Sequence, residues 1–529
     1  MAAVASSAQS GSSANNMIDR LPPEILGEIF LLCLPRFPSA MSPFDPPLLF
    51  TRVSKQWKTV AEATPTLWSR LSFKLVVSSY GERVDADGID QRIDKLEAQR
   101  AAIIHWLTLA AGTDVSISIS IIDDSRDLIV PQRHVAHQLV DQLCESCFTS
   151  HWAQLSIPEE LAERYRSKLL SVPKDSLRSL KKLEYAPPYY SRTPGRKLLG
   201  ESGLIALPTL TSLVLWNLFG DTPLQDLPIN WEGITELDLQ ASEKGEVLGW
   251  EPGSIDFVHS RCPNLRALSF RFAPALPTPL PCSITGNLKP KTFTNLEDFR
   301  IETANNLYGL TVSPEWMTTI SVPSLVRFAY RNTNLGPELE SAILPFLRAN
   351  KDNLGNLREV ELSGLLRNQV ELLHFLEILG GSGTRVERLK FDWENHGQCW
   401  YLSERPALLT AWILEKLTPS PSEEEGELGG EGIAQCLFPR LKYLDFGTVH
   451  PFRDEFEEDG LMRFLEGRFR ASGKGAVAQL EYVGVEFYSQ GEERMVGDLS
   501  GWRSRLENQG LHIDRDFVLR CGNAGAVQD

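Results

Sequence analysis

The residues Cys144-Glu145-Ser146-Cys147 have the spacing of a metal-ligating pair, and His134, His137 and His151 lie close by in the chain. A structural zinc site needs four Cys or His ligands. No second Cys-x-x-Cys and no His pair three to five residues apart follows in the sequence. A helix beginning near Gln132 would instead place both cysteines at the border of the apolar stripe Val135, Leu139, Val140 and Leu143. Small thiols pack well at such a border. The expectation is packed thiols and no metal.

Other catalytic signatures are missing. Gly380-Gly381-Ser382-Gly383 precedes an apolar strand pattern, the wrong order for a phosphate cradle that opens a helix. There is no Walker loop, dinucleotide fingerprint, nucleophile elbow or HExxH. The aromatic group Trp393, Trp400, Tyr401 and Trp412 fits a core, or a partner-binding patch of the kind Trp and Tyr dominate. No catalytic residue and no cofactor is expected, so the chain reads as a non-enzyme.

Composition narrows the partners. A net charge of −16 and a pI near 5.2 argue against non-specific binding to nucleic acid or anionic membrane. Eight scattered cysteines without framework spacing point to reduced thiols, hence to cytoplasm or nucleus. The Ala/Ser/Gly-rich start has neither the basic nor the apolar region of a signal peptide and is expected to be a disordered tail. The apolar stretch Ile103–Ile122 is interrupted by Gly112-Thr113-Asp114. Its spacing is helical before the break and strictly alternating after it, which predicts helix, turn and strand rather than a membrane span.

Most of the chain follows one pattern, Leu-x-x-Leu-x-Leu with other apolar residues allowed. It starts at Leu180, Leu210, Ile234, Leu265, Leu296, Leu325, Leu357, Val386, Leu441 and Leu480. Up to Val386 the starts are 24 to 32 residues apart, and the next two steps are 55 and 39. The alternating half of each unit is a strand with one buried face. No unit can cover that face alone, so neighbours must stack. Segments such as Glu338–Asn350 and Gln369–Leu379 supply helical returns. Leu71–Leu75, Val115–Ile121 and Leu155–Ile157 extend the plan towards the N-terminus as its first three strands. The expected fold is α/β, a leucine-rich-repeat-like solenoid with a curved parallel sheet over residues 71–521. Breaks fall at Ser191–Gly203, at Phe272–Pro290 and at the acidic insert Thr418–Gly432, which reads as a mobile surface loop. The strands on either side of that insert should be neighbours. Residues 522–529 read as a second tail. A further acidic run, Asp454–Asp459, reads as a solvated face.

The segment 18–70 breaks the pattern. Pro22 and Pro23 suit a first helical turn, which can spare N–H groups, and Glu24 complements its positive end. Ile25, Leu26, Ile29, Phe30 and Cys33 follow at helical spacing until Pro35. A second helix is predicted through Leu49, Val53, Trp57 and Val60, ended by Pro65, after which come Leu67 and Trp68. So small a unit cannot bury a self-sufficient core and must pack on something else.

These residues resemble an F-box, most closely the divergent F-boxes of basidiomycete fungi. The Leu-Pro-x-Glu start falls on Leu21, Pro22, Pro23 and Glu24. The hydrophobic contacts fall on Ile25, Leu26, Ile29 and Phe30, the Val–Trp element on Val53 and Trp57, and the closing Leu-Trp on Leu67 and Trp68. The gap Phe37–Leu48 is longer and richer in Pro than usual, and Ser54 stands where many relatives have Cys. The resemblance implies that Leu21, Pro22, Glu24, Ile25, Leu26, Ile29, Phe30, Val53, Trp57, Leu67 and Trp68 bind a Skp-type adaptor and, through it, a cullin. The repeats would then hold a target protein for ubiquitin transfer by other subunits. The alternative is an F-box and repeat scaffold acting outside a ligase. The absence of a linker after Trp68 predicts rigid packing of the two parts.

Overall fold

The computed structural model describes residues 17–35, 39–78, 86–123, 130–187, 199–216, 224–240, 252–272, 290–303, 314–332, 343–363, 369–381, 383–392, 411–419, 436–449, 458–473, 477–489 and 519–523. Residues 420–432 of the insert, Trp393, Trp400 and Tyr401 lie outside them. The chain divides into two compact units, Met1–Thr211 with Leu218–Asn230, and Ser212–Asn217 with Trp231–Asp529. The N-terminal helices therefore share a unit with the first strands.

The first unit opens with helix α1 (Pro23–Leu32), started by Pro22 and Pro23 and ended at Cys33. A two-residue strand β1 (Ser39–Ala40) follows, then α2 (Phe50–Val53) and α3 (Lys55–Glu62). The single helix expected through Leu49 and Val60 is thus two. Ser54 adopts an extended backbone, and its hydroxyl accepts from the Trp57 N–H at 3.2 Å, capping α3. A serine side chain that satisfies an orphan donor favours such a restart. Pro65 opens a 3₁₀ turn, Pro65–Trp68, that leads into β2 (Arg70–Ser78). Helix α4 (Ala86–Leu109) returns to β3 (Val115–Asp123) through a turn in which Gly112 has φ +85°, a conformation that suits a residue without Cβ. Helix α5 (Val130–Leu143), the single turn α6 (Ser146–Thr149), strand β4 (Trp152–Ile157), helix α7 (Glu163–Leu170) and strand β5 (Lys182–Tyr185) complete the series. The five strands lie side by side in chain order, all parallel. The expected first strand is therefore second, because the Pro-rich segment supplies β1 at the edge.

The second unit repeats one device. Strands β6 (Ser212–Trp216), β7 (Glu236–Gln240), β8 (Ala267–Phe272), β10 (Asp298–Thr303), β12 (Arg327–Asn332), β13 (Glu359–Ser363), β14 (Arg388–Asp392), β15 (Tyr443–Val449), β16 (Tyr482–Ser489) and β17 (Leu519–Asn523) form an open parallel ladder in that order. The short strands β9 (Lys291–Thr292) and β11 (Ile320–Ser321) pair beside it. The register aligns the apolar positions: Leu237, Leu268, Phe299, Phe328, Val360, Leu389, Leu444 and Val483 form one continuous row. All ten starting residues of the sequence pattern, from Leu180 to Leu480, are buried. Helix Ile343–Asn350 covers this face, with Phe346 5.5 Å from Phe299 and 5.6 Å from Phe328, ring centre to ring centre. β14 and β15 pair directly, as expected across the insert. β17 runs to Asn523, slightly past the expected end of the repeats.

Polar side chains also hold successive repeats together. Asn264 donates to the Glu232 carbonyl at 2.9 Å, Asn295 to Pro263 at 3.0 Å and Ser324 to Thr294 at 2.6 Å. In the first unit Thr209 donates to Leu180 at 2.8 Å. Each of these residues immediately precedes the first apolar residue of its repeat, so each bonds the repeat before it. Buried Asn350 has a related role: its amide oxygen accepts from Val322 N at 3.0 Å, and its nitrogen donates to Ile320 O at 2.7 Å and Phe346 O at 3.0 Å. Two buried arginines brace turns. Arg166 donates to the carbonyls of Pro158, Leu161 and Ala186. Arg468 grips the carbonyl of Phe438, a residue held at the costly φ of 58°, with both terminal nitrogens at 3.1 Å. Asn350→Ala is expected to remove three buried hydrogen bonds to backbone groups and to cost about 2–4 kcal/mol. A lowered urea midpoint with unchanged slope checks it.

Candidate protein-docking interface

Helix α1 carries apolar residues on two faces. Leu26 and Phe30, one turn apart, point into the protein and are buried. Phe30 stacks on Phe50 at 4.1 Å and meets Trp57 at 4.9 Å, which binds α1 to α2 and α3. Ile25, Ile29 and Leu32 point the other way and are 49%, 39% and 87% exposed. On α2 and just before it, Val53 and Leu49 are exposed too, again one turn apart. A helix with apolar residues on two faces suits a place between two partners, and the described residues cover only the face of Leu26 and Phe30.

The residues expected to bind a partner therefore separate. Pro22, Glu24, Ile25, Ile29 and Val53 are exposed, and Leu21 and Trp57 are partly so. Leu26, Phe30, Leu67 and Trp68 are buried inside the chain. Sequence reasoning missed Leu32, Leu49, Phe44 and Ile18, all exposed. The spacing of Ile25, Ile29 and Leu32, one stripe by itself, was the available signal. In all, nine large apolar side chains are exposed among the described residues, and seven lie between Ile18 and Val53. That concentration marks one segment as a contact surface.

The module is fixed to the strands behind it. Trp68 donates from its indole nitrogen to the Ala61 carbonyl at 2.8 Å. Trp106 of α4 donates to the Trp68 carbonyl at 2.7 Å, and the two rings meet edge to face at 5.0 Å. Ser69 accepts from Ser116 N at 2.7 Å as β2 joins β3. No free segment separates helices from sheet.

The cysteine pair has no such assembly. α5 ends at Leu143, so Cys144 lies just beyond it, half-buried, while Cys147 is exposed on α6. The expectation that both pack on the stripe is corrected for Cys147, because the chain turns between them. Burial pushes the Cys144 thiol up to about 11. Among the described residues there is no group of three or more His, Cys, Asp or Glu that could hold a metal. Trp412 is half-buried in helix Ala411–Leu417.

The ladder face turned away from helix Ile343–Asn350 is polar and self-complementary. Arg327 meets Asp298 at 3.3 Å, Lys390 meets Glu361 at 2.8 Å and Arg388 lies 4.4 Å over the Tyr443 ring. An exposed pair such as Lys390 with Glu361 contributes about 0–1 kcal/mol. Glu481 accepts hydrogen bonds from Tyr443 and Lys442, and these hold its carboxyl below the usual range. No protein-family model matches the chain, and no curated protein matches it. No helix among the described residues is long and apolar enough to cross a membrane.

Two outcomes are expected. Trp106→Phe removes the bond to Trp68 and leaves a buried carbonyl unpaired, a loss of about 1–3 kcal/mol; chemical denaturation measures it. A carboxylate with a depressed pKa stabilises the fold above its unfolded-chain value and loses that contribution as pH falls through the folded value. Glu481→Gln should therefore weaken stability near neutral pH and flatten its fall below about pH 4.3, read from melting temperature against pH.

Proposed function

We propose that this chain is a non-catalytic adaptor-docked receptor. Its N-terminal helices bind a Skp-type adaptor of a cullin ubiquitin ligase, and its leucine-rich-repeat-like strand ladder presents a target protein. The observation that supports it most is the crowding of exposed apolar side chains into Ile18–Val53, while the rest of the described surface has two. Those seven side chains coincide with the F-box-like segment. Burial of Ile25, Ile29, Leu32 and Val53, each partly exposed, offers on the order of 4–6 kcal/mol at usual transfer values. That is a sizeable share of a micromolar to nanomolar affinity. The rigid junction at Trp68 and Trp106 supports the same reading, because a receptor must hold its target at a set distance from the transfer machinery. The polar strand face suits a target recognised by charge and hydrogen bonds.

Ile25→Asp with Ile29→Asp places two charges on the outward stripe and leaves the inward one intact. Adaptor binding should fall at least ~100-fold with an unchanged circular dichroism spectrum. Undiminished capture of the adaptor by this variant would overturn the docking reading. Recovery of a cullin with the wild-type chain separates a ligase subunit from a scaffold acting elsewhere.

A further inference from the structure

We draw no further inference here: the strongest candidate, the side-chain cluster at the seam of α5 and α7, where Arg133 and Arg164 share the buried Asp123 carboxylate and the buried Tyr165 hydroxyl finds no partner among the described residues, has its charges paired with one another, and nothing in the structure shows what it would hold.

Discussion

A strand with one apolar face cannot finish its own burial, and that constraint shapes most of this protein. Each strand of the second unit offers alternate apolar residues to one side, and the row from Leu237 to Val483 is closed only because neighbours share it in register. The backbone obeys the same rule. Glu297 N reaches Arg266 O, Val326 N reaches Glu297 O, Arg358 N reaches Val326 O and Glu387 N reaches Arg358 O, each at 2.8 Å. The apolar contacts and the hydrogen bonds thus share one geometry, which a slip by one residue would turn inside out.

The N-terminal module meets the same constraint differently. Its helices close one side inward, through Phe30, Phe50 and Trp57, and leave a second side open. The two tryptophans at its end carry the closure into the sheet: Trp68 bonds back to α3 and Trp106 bonds forward to Trp68. The open side is therefore presented by a rigid body rather than a tethered one. That favours partners that must be held at a fixed orientation, since little flexibility has to be lost on binding.

The strands were legible because alternation is a local signal: the pattern starts all proved to be buried, and the register across the insert followed from the pattern alone. What was harder to read were features decided by direction rather than type. Ile25 and Leu26 are neighbours of like hydrophobicity, yet one faces water and the other the core. The break at Ser54 depends on a serine choosing a backbone partner, and β1 is a pair of small residues with no strand signature. The Asn, Ser and Thr bonds between repeats occupy a position before the strand, whereas the familiar expectation looks after it. A Pro or Thr followed by Asn or Ser and then Leu, as in Pro263-Asn264-Leu265, was the visible mark.

That position has a consequence for how the molecule tolerates change. Successive repeats are fastened through the main chain at the entry to the strand, and four of them through a side chain as well. Nothing in that fastening depends on how far the chain has travelled since the previous strand ended. Lys442 N finds Glu387 O at 2.9 Å after a 55-residue step as readily as Val326 N finds Glu297 O after 29. A connection can thus differ in length without changing the register of the strands it joins, provided the residues that cover the sheet, such as Phe346, are kept. Novelty can accumulate in them while the scaffold stays still, and foreign segments grafted between strand exit and the next Asn-Leu entry should be carried without loss of register.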